Sequence, residues 1–134
     1  MKTKKEKNKF IIPNYHRPAF PAVKSPGDAL RYWVPEFEKY GVKLAFESDG
    51  HVYKRTSPIF NGKVDFKKGI RYLGEGGLGV PLRTPEKQSE WYFGDDSMVD
   101  SKFHFFILRQ SKNSINILSI DEEGKIFDSL NLVK

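Results

Sequence analysis

After Ser25, apolar residues recur at Ala29, Leu30, Trp33, Val34, Phe37 and Tyr40, the spacing of an amphipathic helix. Ser25-Pro26-Gly27-Asp28 supplies a start: a serine that can cap, a proline suited to the first turn, and an acid where a capping box wants one. Gly41 supplies the stop, and Pro35 inside the pattern predicts a kink or two short helices. From Val42 the period changes to two. Val42, Leu44 and Phe46 alternate, Asp49-Gly50 offers a turn, and His51 to Arg55 returns, which predicts a hairpin. Asn61-Gly62 repeats that signal between Ile59-Phe60 and Lys63-Val64. Ile70 to Leu73 and the aromatic Trp91-Tyr92-Phe93 read as further short strands. Phe103 to Arg109, Ile115 to Ile120 and Ile126 to Val133, joined by polar links, predict a three-stranded meander. Neighbouring positions in these strands are also apolar, so some strands are expected to be covered on both faces.

The expected fold is therefore α+β. One kinked N-terminal helix, near 26–40, packs on a mostly antiparallel sheet of about six strands that ends in the meander. A length of 134 residues fits one domain. Its expected span is 10–134, behind a basic, disordered tail over residues 1–9. Residues 10–24 form an extended arm, because Pro13, Pro18 and Pro21 remove ladder donors while Ile11, Ile12, Tyr15 and Phe20 favour lying against the domain.

Composition narrows the function classes. Charged residues make up 30% and hydrophobic residues 38%, the balance of a globular chain, and aromatics reach 14%. There is no cysteine, which excludes disulfides and thiolate metal sites. No apolar run approaches a membrane span or the core of a signal peptide, so the expectation is a cytoplasmic protein without membrane contact. The net charge is +6, but five lysines against one glutamate in residues 1–9 account for +4 of it. The remainder is only mildly basic.

The densest motif is Gly74-Glu75-Gly76-Gly77-Leu78-Gly79, which fits G-x-G-x-x-G after a strand. Over about ten residues it resembles the glycine-rich loop of protein kinases, whose glycines let backbone amides approach ATP phosphates. The remaining kinase parts are missing: no strand lysine in context, no H-R-D and no D-F-G. A dinucleotide site needs a helix opening at the glycines, and Pro81 and Pro85 oppose one. Gly74, Gly76, Gly77 and Gly79 are accordingly expected to make a flexible joint, with no cofactor.

Three weaker constellations complete the inventory. His16, His51 and His104 stand far apart in sequence, without metal-site spacing. His51 and His104 with Lys54 and Arg55 carry the residue types of a small metal-independent ribonuclease: a base and a cation for the phosphorane. The acids Asp95, Asp96 and Asp100, and Asp121 to Glu123, flank strands and read as solvated turns rather than a metal site. Lys4, Lys5 and Lys7 of the tail, with Tyr53, Arg55, Lys67, Lys68, Arg71 and Tyr72, mix cations and aromatics as nucleic-acid-binding sheets do. No constellation has the complete spacing of a catalytic site. The reading that follows is a small non-catalytic binding protein with a protein partner, of the immunity or inhibitor-like kind. An RNA- or DNA-binding protein is the first alternative and the ribonuclease the second.

Overall fold

The computed structural model describes residues 10–133; the basic tail foreseen over 1–9 lies outside the described residues. Strand β1 (Asn14–Tyr15) opens the order and is followed by helices α1 (Ala29–Tyr32) and α2 (Val34–Lys39). Strands β2 (Leu44–Glu47), β3 (Tyr53–Arg55), β4 (Ile59–Phe60), β5 (Lys63–Val64), β6 (Arg71–Gly74) and β7 (Met98–Asp100) follow. The chain then runs through β8 (His104–Gln110), β9 (Ser114–Asp121) and β10 (Ile126–Val133). This is the α+β architecture expected from the periodicity, with one kinked helix, mostly antiparallel pairing and a C-terminal meander.

The helix turns at Trp33, and Pro35 falls in the first turn of α2, where its missing N–H costs least. Asp28 occupies the N-cap position without a side-chain cap bond, so the helix begins a turn later than its sequence signals suggest. Gly27 is used otherwise: its N–H donates to the Pro18 carbonyl at 2.8 Å and ties the helix entry to the arm. Gly41, at a φ of 69°, ends α2 as expected.

The strands divide into three sheets. The central one has the order β1-β2-β6-β3-β7. β2 runs parallel to β1 and β6, whereas β3 runs antiparallel to β6 and β7. The Asp49-Gly50 hairpin therefore does not form, because β6 is inserted between β2 and β3. Its backbone explains why: positive φ falls on Asp49 (71°) and His51 (58°), not on two successive turn residues. Asn61-Gly62 does make its hairpin, with φ of 50° and 68° and β4 paired to β5. Trp91-Tyr92-Phe93 is a turn segment rather than a strand, and it packs Tyr92 into the core.

Strand alternation sends each side of the central sheet to a different layer. Ala45 and Tyr72 join Phe20, Val34 and Ile70 beneath the helix and arm. Leu44 and Leu73 join Ile115 and Ile117 of the meander on the opposite face. The sheet is thus covered on both sides. Among the described residues no helix is long and apolar enough to cross a membrane.

Candidate functional site

The sandwich decides what the charged strand residues can do. In β3, Lys54 points to the arm, and Tyr53 and Arg55 point to the meander. Lys54 has no exposed surface. Its ammonium donates to Glu47 Oε2 and the Phe20 carbonyl and lies 2.9 Å from Glu75 Oε1. Both carboxylates are also buried. Glu47 Oε1 accepts from the Tyr15 hydroxyl and from the Ala19 N–H at 2.7 Å, and Glu75 Oε1 accepts from the Ala22 N–H at 2.6 Å. Burial, opposed by Lys54, pushes the Glu75 carboxyl above its ordinary value. Glu75 Oε2 and the Tyr72 hydroxyl have no partner among the described residues. This ionic cluster pins the arm to the sheet, and its charged side chains have no exposed surface.

Arg55 and Arg71 are likewise turned inward. Arg55 Nε donates to Asp128 Oδ2 at 2.6 Å, and its NH1 reaches the Asp96 carbonyl at 2.8 Å. Arg71 pairs with the Asp96 carboxylate and donates to the carbonyls of Thr56 and Asp96. These arginines hold the Asp96 carboxyl below its usual range against its own desolvation. Tyr53 donates to Asp128, and burial with that carboxylate raises its phenol above the ordinary tyrosine range. Of the cation–aromatic set read from the sequence, Tyr53, Arg55, Arg71 and Tyr72 are interior, and only Lys67 and Lys68 lie at the surface. Lys4, Lys5 and Lys7 are outside the described residues.

The glycine loop is a site of close approach. A Cβ on Gly74 would fall 1.9 Å from the Glu47 carbonyl oxygen, and one on Gly77 would fall 2.8 Å from the Lys102 carbonyl oxygen. Gly76 and Gly79 take positive φ. Between them the loop borders a cleft of about 570 Å³ whose walls include His16, His51 and His104. The structure therefore gathers three histidines that the sequence keeps apart. His51 Nδ1 is 3.1 Å from the Pro81 carbonyl oxygen, His104 Nδ1 is 2.9 Å from that of Lys102, and His16 Nε2 is 3.6 Å from Asp49 Oδ1. His104 is buried, not on the outer face of its strand, and packs edge-on to Tyr53 and Phe106. Burial lowers its basicity.

His51 and His104 share this cleft, whereas Lys54 and Arg55 lie in the two ionic clusters described above. Among the described residues no lysine or arginine borders the cleft. Among the described lining residues a phosphorane formed there would meet imidazoles and the Asp49 carboxylate, whose Oδ1 lies 2.6 Å from the Lys24 ammonium. Nor do three His, Asp or Glu side chains among the described residues converge as a metal site. Asp121, in one of the acidic turns, is buried and accepts from the N–H groups of Glu123 and Lys125.

A second cleft, of about 400 Å³, was not legible as a site. It lies beside the helix, between Leu30, Val34 and Pro35 on one wall and Trp91 on the other. Phe20 and Tyr92 contribute from the core, and Glu38, Lys87 and Glu90 form a polar rim. Trp91 is 45% exposed, braced edge-on by Tyr92 at 5.4 Å between ring centroids. Trp33, the other tryptophan, is 49% exposed and stands edge-on to Tyr15 at 5.2 Å. The available signal was the width of the helix stripe. Six apolar positions span more than one helix face, yet only Ala29 and Val34 are buried.

No protein-family model matches this chain, and comparison with curated proteins finds no relative.

Proposed function

We propose that the protein is a non-catalytic binding protein that recognises a protein partner through the aromatic face around its helix. The observation that carries this reading is the exposure of both tryptophans, each braced by a second ring, with Trp91 forming one wall of a preformed cleft. Tryptophan is the residue most enriched at binding hot spots, and a large apolar group left half in water has lost stabilisation that a partner can restore. The cleft beside Trp91 has the volume to accept one or two apolar side chains, with Glu38, Lys87 and Glu90 placed as a polar rim. Three of the cations that a nucleic-acid or nuclease reading would use, Lys54, Arg55 and Arg71, are committed to internal carboxylates, which favours the binding reading. Blocking a partner by surface complementarity, as inhibitor and immunity proteins do, needs nothing more than such a face.

The test is co-purification from the native host with wild-type bait and with Trp91→Ala and Leu30→Glu baits, each checked for folding by circular dichroism. A partner held by wild type should be lost or weakened at least about tenfold, roughly 1.4 kcal/mol, in both variants. Retention of every partner by both variants would overturn the assignment. Recovery of nucleic acid alone, with binding that falls steeply as salt rises, would favour the alternative.

A further inference from the structure

We propose that the protein forms a twofold homodimer by antiparallel pairing of β8 with β8 of a second copy, joining two meanders into one six-stranded sheet. A strand edge presents alternating N–H and C=O groups, so its natural occupant is another extended chain. The sheet edges of this molecule are unequal. β1 and β7 are two and three residues long, and β10 carries a register break between Ile126 and Asp128. Short strands and bulges are the ordinary means of blunting an edge. β8 has neither: seven residues, paired without interruption to β9 on one side and to no strand on the other among the described residues. Its sequence HFFILRQ holds no proline, no lysine and no acid, and Phe105, Ile107 and Leu108 are exposed.

Self-pairing is favoured over a foreign strand by charge and closure. An antiparallel pair centred on Ile107 sets Ile107 against its own copy and Arg109 against Phe105 of the other chain. Arg109 is the only residue of β8 with a permanent charge, so this register opposes no like charges and lays each guanidinium across an aromatic ring. The contact is isologous and therefore closes at two copies rather than growing into a filament. On the outer face Ile107 meets Ile107 beside Leu118, its neighbour in β9. On the inner face Phe106 meets Leu108, and both of these residues border the histidine cleft. The interface shares no residue with the cleft beside Trp91.

Light scattering on the full chain, from low to several hundred micromolar, tests this. Wild type should shift with concentration from the 15.5 kDa chain mass to twice that value. Ile107→Lys and Ile107→Glu, at a partly exposed position on the axis, should each stay monomeric, because each sets like charges face to face. An equimolar mixture of the two should dimerise again, since lysine then faces glutamate. Hydrogen exchange of wild-type amides in 104–110 should slow as concentration rises, a readout that needs no variant. A wild type that stays monomeric across the range overturns the proposal, as does a dimer that persists in both variants or a mixture that stays monomeric. Capture of an extended peptide by a monomeric wild type would assign the edge to a foreign strand and equally overturn self-pairing.

Discussion

At the residue scale the decisive feature is Lys54, a single cation between two carboxyls with no exposed surface. Removing one member of a buried ion cluster costs about 3–5 kcal/mol, because the groups left behind lose their partner without regaining water. Lys54→Met should therefore lower stability by that amount in urea unfolding, and adding Glu75→Gln should recover part of the loss by removing one stranded carboxylate. A loss below about 1 kcal/mol in the single variant would mean that water reaches the site. The cluster also explains what was and was not legible. Lys54 and Arg55 read as surface cations because adjacent strand residues point to opposite faces, and a half-exposed sheet is the ordinary case. Here both faces are covered, so the alternation divides buried from buried. Glu75 was hidden by its setting: an acid among four glycines reads as a loop residue, and only the fold carries it to the Ala22 N–H and Lys54. Gly50 answers to the same cluster. A Cβ there would fall 1.7 Å from Glu75 Oε2, so its glycine serves close approach where the sequence suggested a hairpin.

At the element scale, two glycines separate backbone conformation from steric fit. Gly62, in the β4–β5 turn, has a φ of 68° and nothing within 4 Å of a prospective Cβ. Gly62→Ala should cost about 1 kcal/mol from backbone strain alone. A Cβ on Gly69 would lie 2.3 Å from the Asp65 carbonyl oxygen and 2.5 Å from the Pro58 carbonyl carbon, both backbone atoms. Gly69→Ala should cost more, about 2–3 kcal/mol, since the chain itself must shift. Thermal unfolding of the two variants side by side checks the order, and a smaller loss at Gly69 would show that the 58–69 segment yields. Local signals succeeded where an element is determined by its neighbours in sequence: the Asn61-Gly62 hairpin, the Pro35 kink and the three meander strands. They failed at β2, whose partners β1 and β6 come from Asn14–Tyr15 and Arg71–Gly74. Parallel pairing needs a long connection, and no turn residue announces it.

At the scale of the whole molecule, two interior groups bend the stability of the chain in opposite directions with pH. Burial depresses His104, so the folded state holds it neutral while the unfolded chain binds a proton near pH 6.5. Its contribution is present above that value and is lost as pH falls through it. Glu75 is raised, so the folded state keeps its proton where the unfolded chain has released it, near pH 4.3. That contribution is complete below the ordinary glutamate value and is lost as pH rises toward the folded one. Over weakly acidic pH the two slopes oppose each other, and wild type should show a shallow profile. His104→Asn keeps a donor for the Lys102 carbonyl and removes the titration, so its stability should fall as pH rises from about 4.3. Glu75→Gln should show the reverse, a fall as pH drops below about 6.5. Either slope is bounded near 1.4 kcal/mol per pH unit, the limit for one proton. Urea unfolding of the three proteins from pH 4 to 8 separates the terms. Parallel curves for all three would mean that neither group is desolvated and that the layers around β3 and β6 admit water. Opposed slopes would establish that His104 and Glu75 are both held away from water, on the two sides of the central sheet that the meander and the arm cover.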